Sequence, residues 1–131
     1  LRLSGPWSLL ESKQGQIKVC IAARCSTAPV WSPPAGPSDP GHWIGPFSGA
    51  LLGGGVVSTQ PALPGQALMF DLQVYVDIPK DAADGDRYEL RVDDPATGAA
   101  AAQAWSATYF ETRPNGPGCE PACRSPSLTP L

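Results

Sequence analysis

Ala67-Leu68-Met69-Phe70-Asp71-Leu72-Gln73-Val74-Tyr75-Val76-Asp77-Ile78 is the stretch that decides the fold. Leu68, Phe70, Leu72, Val74, Val76 and Ile78 share one parity; Ala67, Met69, Asp71, Gln73, Tyr75 and Asp77 share the other. A period of two marks a long strand with one buried face and one mostly wet face. Pro79 closes it, an acidic turn over 81–86 follows, and residues 87–92 alternate again with Tyr88, Leu90 and Val92 inward. Two such runs joined by a short turn predict an antiparallel β domain.

Upstream, Gln14-Gly15 reads as a turn, and Ile17, Val19, Ile21 and Ala23 alternate with Lys18, Cys20, Ala22 and Arg24 as a strand. Residues 7–10, after the Ser4-Gly5-Pro6 break, are expected to form a first short strand. Residues 29–46 are proline-rich. Proline removes ladder donors and fixes φ, so this segment is expected to be irregular, with Trp31, Trp43 and Phe47 packing down as lids. An apolar run resumes over 51–58, where Gly53, Gly54 and Gly55 suggest a bulge or close backbone approach. Downstream, Asp93-Asp94-Pro95-Ala96-Thr97-Gly98 is a turn, and residues 99–110 form a last strand, favoured over helix by Trp105, Thr108, Tyr109 and Phe110. The expectation is an all-β, antiparallel sandwich of about six to eight strands over 1–113, with a Pro/Gly/Ser-rich tail over 114–131.

The chain has 131 residues, enough for one real core. Its net charge of −3 and scattered basic residues offer no patch for a phosphate backbone, so nucleic-acid binding is set aside. No stretch approaches the roughly 20 apolar residues of a membrane helix. A start at Leu1 rather than Met fits a mature product whose leader was removed, or part of a longer chain.

Cys20, Cys25, Cys119 and Cys123 form two close pairs. An even count in a small, Pro-rich chain points to an oxidising compartment: secreted, cell-surface or periplasmic. Local and crossed disulfides are both open. A zinc site is the rival, although the C-x4-C and C-x3-C spacings lack the usual C-x2-C knuckle.

The segment Val76-Asp77-Ile78-Pro79-Lys80-Asp81-Ala82-Ala83-Asp84-Gly85-Asp86-Arg87-Tyr88-Glu89-Leu90 resembles a recurring piece of bacterial extracellular immunoglobulin-like domains. There a strand ends in Pro, a short Asp/Ala/Gly connection follows, and a Gly-x-Tyr-x-Leu strand begins. The resemblance implies a tyrosine corner, with Tyr88 bonding back to upstream backbone, Gly85 as the tight-turn residue, and 67–78 as strand E. Leu90 stands where antibody domains carry their second inter-sheet cysteine, so that disulfide is missing. Fold alone says little of function.

No catalytic constellation emerges. His42 is the sole histidine and has no nucleophile motif around it. Glu11, Glu89, Glu111 and Glu120 are scattered rather than paired as glycoside chemistry requires. No cofactor is expected. Copper carriage would rest on His42 and Met69 alone. Asp81, Asp84 and Asp86 share a loop and form a weak calcium candidate, against which ordinary turn chemistry weighs.

The aromatics stand out. Tyr75, with Met69 and Gln73, makes a weakly charged outer strip on the long strand; Trp31 and Trp43 join it as contact candidates. The leading expectation is a non-enzymatic structural subunit of an extracellular fibre, appendage or other assembly, with protein partners. It leans on the tail, whose residues 125–131 need an anchor such as a neighbouring subunit. The alternative is a monomeric adhesion or carbohydrate-binding module, with a glycan as ligand. A periplasmic metal carrier is third.

Overall fold

The computed structural model describes residues 1–11, 14–30, 42–60, 63–118 and 122–131. Its elements run β1 (Arg2–Pro6), α1 (Ser8–Glu11), β2 (Gln16–Ile21), β3 (Arg24–Pro29), β4 (His42–Ile44), β5 (Ser48–Gly49), β6 (Gly53–Gln60), β7 (Met69–Val76), β8 (Arg87–Asp94), β9 (Ala99–Thr112) and β10 (Cys123–Pro130). They build an all-β sandwich of two antiparallel sheets, ordered β1-β7-β6-β4 and β10-β9-β8-β2-β3-β5. The orders β1-β7-β6 and β9-β8-β2-β3 reproduce the B-E-D and G-F-C-C′ arrangement of immunoglobulin-type sandwiches. In that scheme β7 takes the place of strand E.

The alternating run does what its pattern dictates. Phe70, Leu72 and Val74 of β7 are buried against Ile17, Val19 and Ile21 of β2 and Tyr88, Leu90 and Val92 of β8 in one core. Among the described residues there are ten strands rather than six to eight. Several are short edge pieces that carry no alternation of their own.

Three expectations are corrected. Residues 7–10 do not form a strand: β1 lies earlier, at Arg2–Pro6, and Ser8–Glu11 is a single helical turn. Leu9 and Leu10 are adjacent and both buried, as a helical turn laid against the core allows. The proline-rich segment is not irregular to its end, because His42–Ile44 is strand β4 on β6; residues 31–41, including Trp31, lie outside the described residues.

The tail supplies the third. Its last part is β10, paired with β9 from Cys123↔Thr112 to Pro130↔Trp105. The Leu131 N–H donates to the Ala104 carbonyl (3.0 Å), so odd-numbered residues face β9 and even-numbered ones face away. Pro126 and Pro130 therefore sit where no ladder donor is needed, and they blunt the sheet edge. Residues 125–131 are anchored on this chain's own sheet.

The β2–β3 hairpin closes through Ala22 and Ala23, with Ala22 at φ 52°. Cys20 and Cys25 face each other across it and are disulfide-bonded. Among the described residues Cys123 is the free cysteine and is exposed; Cys119 lies outside them.

Candidate functional site, an aromatic sheet face

The two outer faces of the sandwich differ in chemistry. On the six-stranded sheet, Lys18, Arg87, Glu89, Arg91 and Asp93 point outward, with Arg87–Glu89 and Arg91–Asp93 ion-paired along β8. That is an ordinary solvated surface. The outer face of the four-stranded sheet carries Arg2 and Ser4 of β1, Asp71, Gln73 and Tyr75 of β7, Gly54, Val56 and Ser58 of β6, and Trp43 of β4.

Register assembles this face. Trp43 pairs with Val56, Val56 with Gln73, and Gln73 with Arg2, making one row across all four strands. In the next row Gly54 pairs with Tyr75. Trp43 is 66 % exposed and Tyr75 59 %. Gly54 lies beneath the indole and is itself buried. A Cβ on Gly54 would stand 3.0 Å from the Trp43 Cζ2, so glycine is what lets the ring settle on the backbone. The result is two exposed rings, two strands or roughly 10 Å apart laterally, with a glycine between them.

Charge on this face cancels locally. The Arg2 Nε and Nη2 donate to Asp71 at 2.9, 3.1 and 2.5 Å, a bidentate pair. Asp71 lies on the outer parity yet is buried, because Arg2 covers it. The Arg2 hydrogen bonds, opposed by burial and aided by Coulomb attraction, hold the Asp71 carboxyl below its ordinary value. The Tyr75 hydroxyl donates to the Gln73 carbonyl Oε1 at 3.0 Å, fixing the ring beside the amide.

Of the contact candidates, Trp43, Gln73 and Tyr75 are thus brought together. Met69 sits on the same face but two rows away, at the Gln60 end, and is half-buried. Arg2, Gly54 and Val56 escaped the sequence argument because only the β1–β7 and β6–β7 registers place them here. Phe47 is buried, as a lid would be, whereas Trp43, also expected to pack down as a lid, is exposed because its place on β4 turns it to the outer face.

The acidic loop has other work. Asp81 pairs with Arg24, Asp84 accepts from the Tyr109 N–H at 2.7 Å, and Asp86 accepts from the Ala83 N–H at 2.9 Å. Two carboxylates committed to β3 and β9 and a third to the loop's own backbone describe turn and capping chemistry. Among the described residues no group of three or more His, Cys, Asp or Glu side chains is placed to hold a metal.

Tyr88 departs from the corner geometry that the resemblance implies. It is buried, and its hydroxyl meets the Tyr109 hydroxyl of β9 at 2.6 Å. Gly85 holds the turn at φ 89° and donates to the Ala107 carbonyl. Burial first, then the Tyr109 hydrogen bond, raises the Tyr88 phenol well above its ordinary value.

Comparison with protein-family models, with curated proteins and with solved structures finds no match. Among the described residues no helix is long and apolar enough to cross a membrane.

Proposed function

We propose that this chain is a non-enzymatic extracellular or cell-surface binding module, of the adhesion kind, that works by contact through the outer face of its four-stranded sheet. The observation that carries this is the pairing of exposed Trp43 and Tyr75 around Gly54 on a sheet face whose Arg2 and Asp71 are paired with each other. Exposed aromatics anchored on rigid strands are the side chains that give most contact energy for least ordering cost. The Cys20–Cys25 disulfide supports an oxidising compartment, whether extracellular or periplasmic.

A monomeric module is favoured over a fibre subunit. The tail needs no neighbour, since β10 completes its own sheet. Among the described residues, three of the four outer strands are also poor templates for strand addition: β10 carries Pro126 and Pro130, while β4 and β5 have three residues and two. The fourth, β1, has Pro6 where its N–H would face outward.

Sedimentation velocity over a wide concentration range, on the wild type and Trp43→Arg, tests this. A single 13.6 kDa species for both is expected. A wild-type polymer, whether or not Trp43→Arg dissolves it, overturns the module in favour of an assembly subunit.

A further inference from the structure

Resting on the reading of this face as the contact surface, we infer that its ligand is a neutral polysaccharide, laid across β6 with sugar rings stacked on Trp43 and Tyr75.

The argument begins with shape. Trp43 and Tyr75 stand on strands β4 and β7, and β6 between them presents Gly54, which raises no side chain, next to half-buried Val56. A chain crossing there runs over a low floor between two aromatic rings. A pyranose ring has one face lined with C–H groups and a rim of hydroxyls. The C–H face carries partial positive charge and suits the negative face of an aromatic quadrupole.

Hydrogen bonding agrees. Gln73 stands beside Tyr75 on β7, with Ser58 and Ser4 in the adjoining row. Amide and hydroxyl groups can exchange bonds with water for bonds with sugar hydroxyls. The Tyr75 hydroxyl spends its proton on Gln73 and keeps its oxygen as an acceptor.

Charge selects the neutral class. Among the described residues Arg2 and Asp71 of the sheet neutralise each other, and Asp77, exposed just past the end of β7, leaves the rim beside Tyr75 weakly acidic. An anionic glycan, a nucleic acid or a charged peptide finds no complementary field there. A protein partner is disfavoured on different grounds. Stable protein interfaces bury about 800 Å² per side around a closely packed apolar centre. Here two rings are parted by Gly54 and half-buried Val56 and bordered by Arg2, Ser4, Ser58, Asp71 and Gln73.

Affinity electrophoresis against soluble mixed-linkage glucan, xylan, galactomannan and, as the anionic comparison, dextran sulfate tests the inference. At least one neutral polymer should retard the chain. Retardation should survive added salt, fall at least tenfold in affinity with Trp43→Ala and with Tyr75→Ala, and persist in Phe110→Ala, which removes an exposed ring from the other sheet. Absence of retardation by every neutral polymer overturns the inference, as does retardation by dextran sulfate alone or a Phe110→Ala loss equal to that of Trp43→Ala. A variant whose circular dichroism shows it unfolded is replaced by Trp43→Phe, expected to bind with intermediate affinity; full wild-type affinity in Trp43→Gln overturns the stacking role. Should no neutral polymer bind while Trp43 and Tyr75 are still protected in native material, the sugar fails and the contact face stands.

Discussion

The Trp43 indole rests on Gly54, with Cζ2 3.0 Å from where a Cβ would stand. Gly54→Ala must therefore push the ring off its seat or spread β4 from β6, since the Ile44 carbonyl is also only 3.1 Å from that Cβ. Alanine restores strand propensity that glycine lacks, so the two effects oppose and stability should change by no more than about 1 kcal/mol. The Trp43 indole N–H resonance should nonetheless shift clearly. An unmoved resonance would mean that the ring does not depend on Gly54.

Cys20 and Cys25 close a loop of only a few residues, and short loops gain little from a cross-link. On the chain-entropy estimate the bond contributes about 2 kcal/mol. The Cys20→Ser, Cys25→Ser double variant should stay folded with a lowered denaturation midpoint. Complete unfolding of that variant would show that the hairpin relies on the bond far more than this.

Asp71 sets the acid limb. Its folded-state pKa lies below its unfolded value, so the stabilisation is present above about pH 4 and is lost as pH falls through the lower folded pKa. Asp71→Asn should flatten the rise of stability with pH between about pH 2 and pH 5. Arg2→Ala should bring the Asp71 titration, followed by carboxyl NMR, upward. An acid limb identical in wild type and Asp71→Asn would contradict the pairing.

Tyr88 governs the alkaline limb with the opposite sign. Its folded-state pKa lies above the unfolded one, so stability is full below about pH 10 and declines as pH rises beyond it. Tyr88→Phe should remove that decline and cost about 1 kcal/mol at neutral pH through the lost bond to Tyr109. Denaturant midpoints across the alkaline range decide it.

Much of the sandwich is legible in the chain because strand alternation is a local signal. Leu72 and Val74, two residues apart, declare a buried face without knowing what covers it. The remainder depends on contacts distant in sequence. Asp71 falls on the outer parity and is buried only because Arg2, 69 positions away, folds over it. Pro126 and Pro130 read as tail chemistry, since nothing local reveals that their missing donors face away from β9. Leu9 and Leu10 gave a strand-like apolar cue, yet they are buried from a helical turn, because two adjacent apolar residues carry no period that separates the two. The candidate site follows the same rule: Tyr75 is visible as an exposed aromatic on a strand, whereas its partnership with Trp43 exists only through the β4–β6–β7 registers.

Hydroxyl-radical footprinting of Trp43 and Tyr75, in the purified chain and in the native material from which it comes, tests most directly whether this face is where the protein works. Both rings should oxidise readily in the purified chain and be strongly protected in the native material, while Phe110 on the opposite sheet reacts alike in both. Equal reactivity of Trp43 and Tyr75 in the two preparations would contradict the assignment of the four-stranded face as the contact surface.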